Sequence, residues 1–170
     1  RVVYRSATGV NDGGPMAAWT APTMIQPGQD MLISSTSYDG GVPFDVEYNP
    51  TSCACSMGAA GGGLAIRLGD NNTGTIIDSI GWGTATNVFV ETTAATVPGN
   101  DNSKARAGNG CTDTDNNSAD FATLTPAAAR NSSSPLTVCS GGGTTLFAAM
   151  TANPSTVIPG GSTLLSVTVV

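Results

Sequence analysis

Residues 61–83, GGGLAIRLGDNNTGTIIDSIGWG, contain two apolar runs separated by a turn sequence. In the first run Leu64, Ile66 and Leu68 alternate with Ala65 and Arg67, the period of two that is typical of a strand with one face on a core. The intervening DNNTG tolerates positive φ, and a run rich in β-branched residues follows it. The stretch therefore predicts a β-hairpin whose second strand carries a tryptophan into the core.

Asp78 interrupts the pattern of the second strand. It shares the parity of Ile80 and Trp82, which are expected to face the core. A buried carboxylate without partners would be too costly. We therefore expect Asp78 either to point inward with hydrogen-bond partners or to lie at a bulge.

The composition favours an all-β protein built on one sandwich-sized domain. The 170 residues include 22 glycines and 10 prolines, only 11% are charged, and no window keeps a helical period over three turns. A net charge of −6 with six basic residues argues against a nucleic-acid surface, which needs clustered Lys and Arg. No apolar run is long enough to cross a membrane as a helix.

The glycine-rich segment after Cys139 marks a predicted boundary between two parts of the chain. Residues 1–139 are expected to form the sandwich. Residues 140–170 are expected to form a linker and a β-strand tail. The last strand of this tail is the candidate assembly strand, and its apolar residues are Leu164, Leu165, Val167, Val169 and Val170.

Four cysteines in a small, loop-rich chain favour disulfides and an oxidising compartment. They are Cys53, Cys55, Cys111 and Cys139. A bridge between the last two would contribute about 3–4 kcal/mol in the chain-entropy model. That bridge would leave Cys53 and Cys55, which are separated by one residue, as the remaining pair. Cross-pairing, in which Cys53 and Cys55 bond to Cys111 and Cys139, is therefore equally open.

An oxygen-rich loop at residues 111–121 is the candidate metal site. Its predicted ligands are Asp113, Asp115, Asn116, Asn117 and Asp120. Calcium takes six to eight oxygen ligands in flexible geometry, and such loops supply them, although the EF-hand glycine and terminal glutamate are absent. The alternative is an Asx-rich turn in which Asp120 accepts backbone hydrogen bonds and Arg106 pairs with a carboxylate.

The sequence does not favour an enzyme. It contains no histidine and no Gly-x-Ser-x-Gly elbow, and its only glutamates are Glu47 and Glu91. Solvated or capping roles explain the ten aspartates more simply than a glycosidase pair does. Three Asn-x-Ser/Thr sequons, at Asn71, Asn116 and Asn131, are candidate glycosylation sites.

Several motifs in order resemble the bacterial lamin-tail domain family. The motifs are Gly61–Ile66, Ile77–Gly83, Glu91, Arg106 and Asp113–Phe121, preceded by Pro27-Gly28, Leu32–Ser35 and Tyr38–Pro43. The resemblance covers roughly residues 1–139. It implies a non-enzymatic immunoglobulin-like β-sandwich of secreted or surface bacterial proteins. The family's usual first strands have no counterpart before Val2, so the sandwich is expected to be incomplete at its N-terminus. Residues 152–169 are similar to the first hairpin of a bacterial Ig-like repeat.

These observations predict an extracellular structural protein whose partner is a second copy of itself. The tail strand, residues 164–170, is expected to enter the groove left at the start of the next subunit, beside Val2–Ser6. Such donation would build a head-to-tail filament, which calcium and disulfides would stabilise. The alternative is a tethering or spacer module cut from a larger secreted or surface protein. We expect no nucleic-acid partner and no membrane insertion.

Overall fold

The computed structural model describes residues 1–48 and 56–139 and the strands at 148–153 and 164–169. The chain divides into two compact units, Arg1–Cys139 and Ser140–Val170. The predictions for Cys53, Cys55 and Val170 lie outside the described residues.

The described chain is mostly β, with two helical turns of four residues each. The strands are β1 Val2–Ser6, β2 Ile33–Ser34, β3 Val46–Glu47, β4 Gly61–Leu68, β5 Thr75–Gly83, β6 Ser103–Arg106, β7 Phe121–Leu124, β8 Ala148–Asn153 and β9 Leu164–Val169, and the turns are α1 Ala107–Gly110 and α2 Asn117–Asp120. Within α1, Gly108 and Asn109 have φ of 61° and 57°, so this turn is partly left-handed. The strands form small sheets, and the described residues form no closed barrel.

The predicted hairpin is confirmed and lies at the edge of a three-stranded antiparallel sheet, in the order β1-β4-β5. Gly61 pairs with Gly83 at one end of the hairpin and Leu68 pairs with Thr75 at the other. The register shifts between Ile66 and Arg67, which leaves one extra residue on β5. Asp78 lies beside this bulge, opposite Ile66. The bulge alternative is therefore the one that the structure adopts.

Both faces of this sheet are covered, and the strand β4 differs here from its sequence pattern. One face packs around Tyr4, Met16, Trp82 and Ala95, with Leu64 partly buried against them. The other face packs Val3 and Ala65 against Phe89. The expectation that only the Leu64 face is buried is therefore wrong: Arg67 is 5% exposed, whereas Leu68 is 71% exposed. Tertiary contacts cover the face of Ala65 and Arg67, which the alternating sequence pattern of β4 predicts to be exposed.

The outer edge of β1 is closed by the loop that follows it. Val2 donates its N–H to the carbonyl of Ala17 at 2.8 Å, and its own carbonyl accepts from Met16 at 2.9 Å. Two residues further along, the carbonyl of Tyr4 accepts from Gly13 at 2.9 Å. Main-chain groups of β1 on this side are thus already bonded within the chain.

Three two-stranded sheets complete the described structure. Strands β2 and β3 are parallel, whereas β6 and β7 are antiparallel, with Ser103 opposite Leu124. In the second unit, β8 and β9 are antiparallel over six residue pairs. The two strands predicted for the tail are present.

Candidate functional site

The loop at residues 111–120 closes on the carboxylate of Asp120. This side chain is fully buried and accepts hydrogen bonds from the N–H of Thr114 at 2.9 Å, its hydroxyl at 2.7 Å and the N–H of Asn116 at 3.1 Å. Desolvation alone would raise the pKa of Asp120, but these hydrogen bonds and the nearby Arg106 outweigh it and lower the pKa. Asp120 is therefore an ionised anchor that holds the loop around itself.

Asn117, also fully buried, joins this loop to the central sheet. Its Oδ1 accepts from the N–H of Gly81 at 2.8 Å and from the N–H of Glu91 at 3.0 Å. Its Nδ2 donates to the carbonyl of Ser79 at 3.1 Å and to the carboxylate of Glu91 at 2.7 Å. Both amide hydrogens and both acceptor positions are used, so Asn117 is a structural residue and has no free oxygen for a cation.

Three carboxylates converge at this loop: Glu91, Asp113 and Asp120 each place one oxygen within 4.8 Å of the others. Glu91 is partly buried, Asp113 is exposed and Asp120 is buried. Desolvation raises the pKa of Glu91, and the negative charge of Asp78 adds to that effect. A hard cation prefers such carboxylate oxygens, so the triad could hold a metal ion.

Arg106 is the cation that already neutralises part of this cluster. Its guanidinium donates to Asp78 at 2.6 Å and lies 3.1 Å from Asp113 and 3.8 Å from Asp120. The same group lies over the ring of Phe121, 4.5 Å from its centroid. Four carboxylates, including that of Glu91, share one guanidinium here, so the cluster keeps a negative charge that would attract a cation.

The structure places the predicted metal ligands in two groups. Asp113 and Asp120 belong to the carboxylate triad. Asp115 is in the left-handed region at φ 56°, and its carbonyl accepts from Thr92. The amide oxygen of Asn116 accepts a hydrogen bond from the hydroxyl of Ser118. The sequence prediction missed Glu91. This residue precedes Asp113 by 22 positions, and only folding brings it to the loop.

A second charged cluster, which the sequence pattern did not indicate, lies under the other face of the sheet. The side chains of Arg5 and Arg67 are 6% and 4% exposed, and both pair with the fully buried carboxylate of Asp12. Each guanidinium lies about 5 Å from the ring centroid of Phe89, at 5.0 Å and 5.3 Å. The N–H of Asn72 donates to the same carboxylate at 2.7 Å. This buried network ties the chain start to the central hairpin.

A groove of about 910 Å³ runs along β6. Every residue from Ser103 to Gly110 lines it, together with residues from β7 and from the segment 135–138. Its apolar lining is open to solvent: Leu124, Leu136 and Val138 are 38%, 55% and 84% exposed.

The disulfide prediction is confirmed for one of its alternatives. Cys111 and Cys139 are bonded, with 5.4 Å between their Cα atoms and a sequence separation of 28. The bridge fastens the end of the first unit to the carboxylate loop. It is consistent with an oxidising environment, which is where such bonds persist.

The three sequons differ in the burial and the hydrogen bonding of their asparagine side chains. Asn131 is 8% exposed, and its amide nitrogen donates to the carbonyl of Pro43 at 2.9 Å. Asn71 donates to the carbonyl of Gly13 at 3.0 Å. Asn116 is partly exposed, and its amide nitrogen makes no hydrogen bond within the part of the chain that is described. Asn116 therefore differs from the other two in the hydrogen bonding of the amide nitrogen that glycosylation would modify.

The candidate assembly strand is β9, which contains Leu164, Leu165, Val167 and Val169. None of the helices among the described residues is long and apolar enough to cross a membrane. No family model, no curated protein and no solved structure matches this chain.

Proposed function

We propose that the chain is an extracellular structural subunit that assembles with copies of itself by β-strand donation. The observation that carries this proposal is the second unit, which contributes only the two-stranded sheet β8–β9 to the described structure. A lone two-stranded hairpin is marginally stable in water. Residues 140–170 include no Asp, Glu, Lys or Arg, so no charge protects the strand edges from pairing.

The finer fold that we propose is an immunoglobulin-like sandwich of the lamin-tail type. Its support is the mostly β first unit with a three-stranded sheet covered on both faces, and the order of motifs in the sequence. A surface or secreted location fits the disulfide and the acidic net charge of −6. The partner in this proposal is a second copy of the chain.

Calcium is the ion that we propose for the carboxylate triad, where it would stabilise the loop rather than take part in a reaction. Glu91 and Asp120 approach the position from the interior and Asp113 from the surface. Backbone carbonyls and water would supply the remaining oxygens that calcium needs. An ion bound here would join the loop, the segment after β5 and α2.

Assembly is tested by substituting two neighbouring residues of β9 in the full chain. Val167→Asp introduces a charge at an apolar position, and Thr168→Asp introduces the same charge at the neighbouring polar position. We expect fibres from the wild type and from Thr168→Asp, and none from Val167→Asp, in electron micrographs and sedimentation runs. Discrete particles from the wild type at every concentration would refute self-assembly and favour a spacer module.

Calcium binding is tested by thermal unfolding with calcium and with chelator. Calcium at 100 times its Kd would stabilise by about 2.7 kcal/mol, which corresponds to roughly 5–10 °C in a unit of this size. We expect Asp113→Asn to lose most of this shift. Asp115→Asn, in the same loop but outside the triad, should keep it. Identical curves for the wild type in calcium and in chelator would refute the proposal.

A further inference from the structure

We propose that the groove along β6 is the acceptor for β9 of a second copy, so that β8–β9 of one chain and β6–β7 of the next form a four-stranded sheet. This inference rests on the self-assembly proposed above and names the surface that receives the donated strand.

Strand β6 lines the groove along its whole length, and Ala122, Thr123 and Leu124 of β7 line it as well. Successive residues of a strand point to opposite faces, so a groove lined by every residue of β6 follows the strand itself rather than one face. Strand β6 pairs only with β7 in the described structure. The two edges of the three-stranded sheet are less open, since residues 13–17 bond to β1, and Ala95 bonds to Gly81 and Gly83 of β5.

The charges of the groove and of the tail are compatible with close contact. Arg130 pairs with Asp30 at 2.7 Å and donates to the carbonyl of Pro135. Lys104 donates to the hydroxyls of Thr96 and Thr123, each at 2.7 Å. The cations that line the groove are thus engaged within the subunit, and an uncharged strand can enter without leaving a new ion unpaired.

The lengths of the strands also agree. Strand β6 has four residues and β9 has six, so β9 spans all of β6, about 13 Å at 3.3 Å per residue. The sheet β8–β9 has two strands, and three or more, or packing against another element, are needed for independent stability. Pairing β6 with β9 removes one exposed edge from each sheet and covers the apolar groove.

The test compares two leucine-to-glutamate variants of the full chain. Leu136→Glu places a charge in the groove, and the matched control Leu68→Glu places it on the exposed end of β4, away from the groove. Both side chains are more than half exposed, at 55% and 71%, so neither variant should fail to fold, which near-ultraviolet circular dichroism checks. We expect Leu136→Glu to weaken assembly by about ten-fold or more and Leu68→Glu to leave it within about two-fold.

A mixing experiment then identifies which surfaces meet. Leu136→Glu blocks the groove and keeps the tail, whereas Val167→Asp blocks the tail and keeps the groove. At a concentration where each variant alone sediments as a monomer, an equimolar mixture should form a dimer that does not grow, because only one tail and one groove remain intact.

The outcomes separate the two proposals. Assembly that Val167→Asp abolishes but Leu136→Glu leaves intact would overturn the groove while keeping strand donation. Loss of assembly in Leu68→Glu alone would place the acceptor on the face of the three-stranded sheet. That result would also overturn the groove as the acceptor. A wild type that stays monomeric, or pairs its own strands internally, would refute both the groove and self-assembly.

Discussion

Replacement of Asp12 by asparagine tests the buried charged network directly. The Asp12 carboxylate is fully buried, with Oδ1 2.7 Å from Nε of Arg5 and Oδ2 2.7 Å from Nε of Arg67. Its Oδ2 also accepts from the N–H of Asn72 at 2.7 Å. Asparagine keeps the shape but removes the charge and turns one acceptor into a donor that faces guanidinium N–H groups.

The expected loss follows from the burial of the two arginines. Their side chains are 6% and 4% exposed, so without Asp12 both cations keep little access to water. Removing one partner of a buried ion pair costs about 3–5 kcal/mol because the other charge stays desolvated. The contacts with Phe89 remain and offset only part of this. We therefore expect Asp12→Asn to lower the free energy of unfolding by at least about 3 kcal/mol.

The assay is urea unfolding at neutral pH, with Asp70→Asn as the control. Asp70 pairs with Arg1 at 3.2 Å but is 85% exposed. An exposed pair contributes about 0–1 kcal/mol, so this control should stay close to the wild type. An Asp12→Asn variant that loses no more stability than Asp70→Asn would refute the reasoning that the two arginines depend on this carboxylate.

The pH dependence supplies an independent check on Asp12. Burial alone would raise its pKa, but the hydrogen bonds from Asn72, Arg67 and Arg5 outweigh it and hold the pKa below the ordinary 3.8. A lowered carboxylate pKa contributes stability that is present above the unfolded-state value and is lost as the pH falls through the folded-state value. The stability difference between the wild type and Asp12→Asn should therefore shrink below about pH 4.

Two further substitutions test other parts of the first unit. Asn117→Ala should cost about 2–4 kcal/mol in urea unfolding because it leaves two main-chain N–H groups and a carbonyl without their partner. Asn116→Ala, whose side chain bonds only an exposed hydroxyl, should cost less than about 1 kcal/mol, and equal losses would contradict the assignment. Replacing Cys111 and Cys139 by serine should remove about 3–4 kcal/mol, seen as a lower urea midpoint under oxidising conditions, and an unchanged midpoint would contradict it.

The parts of the fold that local patterns encode were predictable. The hairpin of β4 and β5 follows from two apolar runs around a turn sequence, and β1 and β9 follow from short runs that contain several β-branched residues. The disulfide was predictable as a class from the cysteine count, but its pairing was not. Which two cysteines meet depends on where the loop at Cys111 lies relative to the end of the unit.

The candidate site was predicted only in part. The loop was recognisable because Asp and Asn are concentrated within eight residues, and Asp113 and Asp120 do belong to the carboxylate triad. Its third member, Glu91, is an isolated residue with no local signal. Asn117 has the chemistry of a ligand, but its amide is used by the main chain of β5 and by Glu91. Spacing along the loop cannot reveal such competition.

The sequence by itself determined the β class, the central hairpin and the uncharged tail with its two strands, because these depend on residue periodicity and on neighbours within a few positions. The tertiary structure alone decided that Arg67 is buried rather than exposed. It also decided that Glu91 joins the carboxylate cluster and that the edge of β1 is closed while β6 lines an open groove. The physical reason is distance along the chain. Asp12 and Asn72 are 60 residues apart and still share two hydrogen bonds, and such pairings appear only after the sheets pack.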